Sequence, residues 1–206
     1  MVKHNEFGSS RKKNYKNSMK NALILHGAGN SPQGNWFSWL KQELEKRKYK
    51  VWLPDLPNSD VPNVEGWLNT IFSNKEWQFN NESVIIGHSA GATLILRILE
   101  RLPEQLKIQK SILVAGIVRL GTKPEYFQYK KSLVEQPFNW EKIKKSCHRF
   151  YFVCSDNDPY ECGFDQAQIM QKQLGGEIVF RPGEAHFNLE KGPEYKQFPL
   201  LLDLIE

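Results

Sequence analysis

SVIIGHSAGATLILRILE, residues 83–100, is the stretch that decides the fold of this chain. Val84, Ile85 and Ile86 form a short apolar run rich in β-branching, Gly87-His88-Ser89-Ala90-Gly91 intervenes, and apolar residues recur at helical spacing from Thr93 to Leu99. The order reads as strand, sharp turn and helix, with Ser89 at the apex. Glycines two positions to either side remove the Cβ atoms that would collide as strand and helix approach. The N–H of Ala90 falls at the helix N-terminus, where unsatisfied donors and the positive dipole end favour a developing oxyanion. A serine between two glycines also occurs in ordinary turns; the strand before it and the amphipathic helix after it favour a nucleophile.

Working outward, the chain alternates strands and helices. Ala22 to His26 is an apolar strand, followed by the glycine-rich loop GAGNSPQG and a helix carrying Trp36, Trp39, Leu40 and Leu44 on one face. Lys50 to Leu53 gives a second strand, and Val64 to Phe72 a short helix. Beyond the central stretch, Ser111 to Ala115, Arg149 to Cys154 and Glu177 to Phe180 read as strands. Helices are expected at Tyr126 to Val134, Trp140 to Lys145, Gln166 to Leu174 and Gln197 to Ile205. Near-continuous apolar strands alternating with helices imply a parallel sheet covered on both faces, with ligands gathering at the strands' carboxyl ends. The loops after His26, Gly87, Cys154 and Phe180 meet there, and the excursion 119–146 is placed to cap them.

A chain of 206 residues fits one domain, burying roughly 70% of its unfolded surface. The net charge of +5 resides in residues 1–20, with six Lys/Arg and one Glu, while the remainder carries 22 of each sign. That segment reads as a disordered basic tail, or as sequence upstream of an alternative start at Met19. It lacks the apolar core of a secretory signal, and nothing approaches 18 consecutive apolar residues, so neither export, membrane nor nucleic-acid binding is expected. Cys147, Cys154 and Cys162 are odd in number and lack metal-ligand spacing, which points to a reducing, cytoplasmic setting without disulfide or metal site. Cys147 and Cys154 read as small buried hydrophobes, and Cys162 lies near the acid loop, its burial left open.

A nucleophile needs a base and an acid. Four of the five histidines have a structural reading: His4 lies in the tail, His26 orders the loop after the first strand, His148 opens a strand, and His88 points away from Ser89 to pack. His186, in RPGEAHFN beyond the sixth strand, can be lowered onto Ser89 to accept its proton and return it to the leaving group. The acid belongs in SDNDP after the fifth strand. Asp158 is preferred because Pro159 biases it toward an extended conformation, and Asp156 is the alternative. A second oxyanion donor is expected from HGAGNS, with Ala28 first and Gly29 as the alternative.

The chain resembles the α/β-hydrolase fold, and more closely the small YdeN-like and retinoblastoma-binding-protein-9-like serine hydrolases. The likeness covers about residues 21–205 and is carried by LHGAGNSPQGNWFSWLKQELE, LPDLPN, IIGHSAGA, NWEKIKKSCHRFYFVCSDNDPY and GEAHFN. It implies six parallel strands in the order 2-1-3-4-5-6, a triad on Ser89, Asp158 and His186, and weakly defined substrates; no cofactor is expected. Asn157 between the two aspartates departs from the family's pattern.

The expected substrate is a small carboxylic ester, with thioesters and amides open to the same chemistry. Trp36, Phe37, Tyr126, Phe127, Phe138 and Tyr160 are candidates for an acyl pocket. Two rival readings remain: a catalytically silent interaction module on the same fold, and a nucleotide-binding fold suggested by Gly27-Ala28-Gly29 and Asp55. The latter lacks its third glycine, since position 32 is Pro32.

Overall fold

The computed structural model describes residues 19–206. The expected basic tail lies, up to residue 18, outside the described residues. One sheet of six parallel strands forms the centre: β1 Asn21–Leu25, β2 Lys50–Trp52, β3 Ser83–His88, β4 Ile108–Val114, β5 Cys147–Cys154 and β6 Glu177–Phe180, in the order β2-β1-β3-β4-β5-β6. This is the single-domain α/β architecture and strand order expected from the sequence. The connections are the helices α1 Phe37–Lys46, α2 Val64–Ser73, α3 Ala90–Arg101, α4 Lys131–Val134, α5 Trp140–Lys145, α6 Phe164–Leu174 and α7 Leu200–Ile205. No described helix is long and apolar enough to cross a membrane.

Because side chains alternate across a strand, neighbouring residues of β1 and β3 serve opposite faces. Leu23, Leu25 and Ile85 pack with α2, α3 and α6, whereas Ala22, Ile24, Val84 and Ile86 pack with α1 and α7. From Ala22 to Leu25 and from Val84 to Ile86 these two strands thus present apolar side chains to both helix layers, and the polar exception is His88 at the end of β3, which packs on Phe37 of α1. Nearly all of α3 is buried, from Ala90 to Leu99. Burying a Leu or Ile side chain contributes about 1.5–3 kcal/mol, so the helix after the turn is held chiefly by its packing.

Several element limits differ from those read in the sequence. β4 begins three residues before Ser111, because Lys110 is buried and its ammonium donates to the carbonyls of Leu204 (3.1 Å) and Ile205 (2.7 Å) at the end of α7. A lysine with its charge satisfied this way continues a buried strand despite breaking the apolar run. The expected helix from Tyr126 is instead a 3₁₀ turn, Pro124–Tyr129, followed by α4, with a break at Lys130 (φ −129°). The last helix starts at Leu200 and not at Gln197, since Pro199 holds the residue before it away from helical geometry.

Candidate active site

Ser89 occupies φ 55°, ψ −122°, a left-handed conformation that costs a non-glycine residue on the order of 1–3 kcal/mol. Three contacts hold it there. Its N–H donates to Val114 O at the end of β4 (2.8 Å), and its carbonyl accepts from Ala92 (3.0 Å) and Thr93 (3.2 Å) in the first turn of α3. The flanking glycines make the turn possible: a Cβ at Gly87 would lie 2.6 Å from the carbonyl carbon of Gly91, and one at Gly91 would lie 2.6 Å from Leu25 O. Strand and helix touch backbone to backbone on both sides, and the serine is left partly exposed between them.

The loops after β5 and β6 are joined residue by residue. Arg181 N–H donates to Cys154 O (2.9 Å), Glu184 N–H to Ser155 Oγ (3.1 Å), Gly183 N–H to Asp156 Oδ1 (2.7 Å) and Ala185 N–H to Asn157 Oδ1 (2.8 Å). The last link is from side chain to side chain: His186 Nδ1–H donates to Asp158 Oδ2 at 2.7 Å, with the imidazole 6% and the carboxylate 1% exposed. Asp158 Oδ1 also accepts from Tyr160 N–H (2.8 Å). The structure thus brings Asp158 to the imidazole and sets Asp156 on the backbone of residue 183, whose N–H lowers the Asp156 pKa. Asn157, the departure from the family's pattern, supplies one of these links.

His88 packs as expected, buried against Trp36 (ring centroids 6.0 Å apart) and Phe37 (5.9 Å). It also has a polar role: its Nε2–H donates to the carbonyl of His186 (2.7 Å), its ring centroid lies 4.7 Å from that of His186, and it borders the same cavity as Ser89. Burial, with the neighbouring His186 charge adding to it, pulls the His88 pKa down to about 3, so the ring is neutral. Its Nδ1 has no hydrogen-bond partner among the described residues. Trp36 Nε1–H donates to Phe187 O (3.1 Å), so the base loop is gripped at consecutive carbonyls. Sequence reasoning missed this support; the signal was a polar residue inside an otherwise apolar strand end. His26 orders its loop as expected, accepting Leu56 N–H at Nε2 (2.9 Å) and donating to Gly27 O (2.9 Å).

A cavity of about 390 Å³ opens over Ser89 and His186, and Ala28, Tyr126, Lys130 and Tyr160 also line it. Of the six aromatic candidates, only Tyr126 and Tyr160 face it. Trp36 and Phe37 are fully buried between α1 and the sheet, and Phe138 lies under the Arg97 guanidinium at 3.8 Å. Phe127 is partly buried away from the cavity. Large apolar rings were drawn into the two core layers, where they remove more surface from water than a cavity wall allows. Gly29 N–H donates to Ser59 O (2.9 Å), whereas the N–H groups of Ala28 and Ala90 have no partner among the described residues. Cys162, near the acid loop, is 1% exposed.

The excursion 119–146 is tied to the acid loop and to α3. Glu161 accepts from the Thr122 hydroxyl (2.6 Å) and from Thr122 N–H (2.9 Å), which hold its carboxyl down to about 2. Lys130 Nζ donates to Tyr160 O, and the Tyr126 and Tyr160 rings meet edge to face at 5.0 Å. On the far side, buried Arg97 donates to Leu133 O (2.9 Å) and Pro137 O (3.2 Å).

A strained serine at a strand-to-helix turn, at the carboxyl edge of a 2-1-3-4-5-6 parallel sheet, defines the α/β-hydrolase class. The Serine hydrolase family model matches residues 22–206, and the chain belongs to that family. The chain is 27% identical over 190 residues to YdeN of Bacillus subtilis, covering 90% of this chain and 94% of that one. It is 25% identical over 168 residues to the serine hydrolase RBBP9 of Rattus norvegicus, covering 79% and 83%. The crystal structure of the B. subtilis ydeN gene product superposes with a TM-score of 0.82 at 24% identity, over 90% of this chain and 96% of that one. Est1E from Butyrivibrio proteoclasticus, solved with ferulic acid bound, shares the fold at a TM-score of 0.65 and 13% identity, over 92% and 89%.

Proposed function

We propose that this hydrolase cleaves small carboxylic esters through an acyl-enzyme on Ser89. His186 takes the serine proton and delivers it to the leaving alcohol, then activates water for deacylation. Asp158 holds the imidazole with its proton on Nδ1, leaving Nε2 free to act as base, and stabilises the imidazolium that forms. The observation that carries this reading is the buried 2.7 Å bond between His186 and Asp158 beside a cavity that also holds the strained serine. The unpartnered N–H groups of Ala28 and Ala90 are the oxyanion donors, and losing one such donor costs about 3–4 kcal/mol of transition-state stabilisation.

A cavity of about 390 Å³ is near the small end of ligand sites, which run from about 300 to 1,000 Å³ and so favours short acyl groups. Segment 119–146 is its cover. The odd cysteine count supports a reducing, cytoplasmic setting. p-Nitrophenyl esters of graded chain length, assayed beside thioester and amide substrates, test the reading. kcat/KM should be highest for acetyl to butyryl esters and fall beyond. Ser89→Ala and His186→Ala should each lower turnover by on the order of 10⁶, with the double variant scarcely worse. Additive losses, or a preference for thioesters or amides, would contradict the assignment.

A further inference from the structure

The pair formed by Asp158 and His186 has a third neighbour that ester cleavage does not use. Cys162 is 1% exposed, and one donor atom each from Asp158, Cys162 and His186 all lie within 4.8 Å of one another. A carboxylate oxygen, a sulfur and an imidazole nitrogen are the donor types that bind zinc, at about 2.0–2.3 Å each, which sets tetrahedral ligands about 3.5 Å apart. Closing the set around one ion needs the Asp158–His186 pair to open from 2.7 Å by about 0.8 Å, and any separation near the 4.8 Å limit to contract by a little more than about 1 Å.

An acidic cavity adjoins the set on the Asp158 side. Behind the acid loop lies a second cavity, of about 690 Å³, which shares no lining residue with the one over Ser89. Asp156, Asp158, Glu161 and Asp165 border it. Its one cationic side chain among the described residues, Arg119, is already paired with Asp165 at 2.7 Å. With Asp165 and Arg119 offsetting one another, three carboxylates remain to concentrate cations along this cavity.

We propose that Asp158, Cys162 and His186 form an inhibitory site for a thiophilic divalent cation such as Zn²⁺, lying between the acidic cavity that Asp158 borders and the substrate cavity that His186 borders. Its effect on turnover rests on the triad reading above; its ability to bind does not. Coordination at Nδ1 needs the lone pair of that nitrogen, so the proton now shared with Asp158 must move to Nε2. Cys162 gives up its thiol proton to solvent and binds as thiolate, and Asp158 binds through a carboxylate oxygen. In balance, three bonds from the protein to the ion replace bonds to its water ligands, the imidazole N–H bond at Nδ1 is exchanged for one at Nε2, one S–H bond is broken with its proton released, and no oxidation state changes. An imidazole protonated at Nε2 can no longer accept the Ser89 proton, and water from the cavity completes the coordination.

Cd²⁺ titration of the purified chain, followed by the thiolate-to-cadmium charge-transfer band, reads binding independently of activity. One equivalent per chain is expected, with the band lost in both Cys162→Ala and Cys162→Ser and kept in Cys154→Ala. Zn²⁺ should lower kcat with p-nitrophenyl acetate at least tenfold and leave KM unchanged. In Cys162→Ala, normalised to its own zinc-free rate, the half-inhibitory concentration should rise on the order of a hundredfold. Absence of the band, its persistence in both Cys162 variants, or bound metal that leaves kcat intact would overturn the proposal. Cys162-dependent binding in a chain that hydrolyses no ester would support the site and remove the hydrolytic reading instead.

Discussion

Replacing Gly91 with alanine tests whether the close contact of α3 with β1 is what positions Ser89. The added Cβ would lie 2.6 Å from Leu25 O, closer still to His26 O, and 2.9 Å from the Leu25 carbonyl carbon. All three are backbone atoms at the end of a fully buried strand, so no side chain can swing aside. Restoring a 3.4 Å contact to Leu25 O alone requires a shift of about 0.8 Å, and the nearer His26 O requires more, borne by the first turn of α3 and by Ser89 with it. Overpacking of this kind costs about 1–3 kcal/mol, and the helix propensity gained on leaving glycine offsets up to about 1 kcal/mol, so a net loss of about 1–2 kcal/mol is expected. A nucleophile displaced by nearly an ångström should lose on the order of 10² in kcat/KM. Gly66→Ala in α2 is the counterpart, because its nearest contact, Asn63 Oδ1, lies at 3.5 Å. That variant should be as active as the parent and more stable by up to about 1 kcal/mol. Urea unfolding and p-nitrophenyl acetate kinetics read both quantities. A Gly91→Ala chain with parental stability and rate would refute the packing argument.

Two further outcomes follow from the loop pairing. Asp158→Asn should lower kcat by on the order of 10⁴ by upsetting the imidazole's tautomer and orientation, whereas Asp156→Asn, which alters only the partner of Gly183 N–H, should cost far less; steady-state kinetics of both variants checks the order. His88 should make the fold acid-sensitive. Its folded pKa of about 3 lies below the value of 6.5 expected when unfolded, so between those limits the unfolded chain binds the extra proton. Stability should therefore fall as pH drops from 6.5 toward 3, by up to about 1.4 kcal/mol per unit from this group, and the slope should be shallower in His88→Gln by urea unfolding at stepped pH.

The elements that a local pattern specifies were legible in the sequence: the run from Val84 to Leu99 announces strand, turn and helix by its own periodicity. The loops carrying Asp158 and His186 were legible too, because parallel topology sends every strand's carboxyl end to one edge. What stayed hidden depends on tertiary partners. Lys110 continues β4 only because the end of α7 accepts its protons, and His88 turns to the base loop only because the His186 carbonyl needs a donor. Aromatic rings at 36, 37 and 138 look alike in a sequence whether they face core or cavity; burial against α7, or under Arg97, settled their place. Asn157 read as an anomaly, and only the backbone of residue 185 explains it.

The central claim is that Ser89 becomes covalently acylated. A fluorophosphonate probe, followed by peptide mapping, tests this most directly, because such reagents capture a serine only where a base and an oxyanion site act on it together. The account requires one adduct per chain, on Ser89, abolished in Ser89→Ala and strongly slowed in His186→Ala. An unlabelled protein, or a label carried by any other residue, would contradict it.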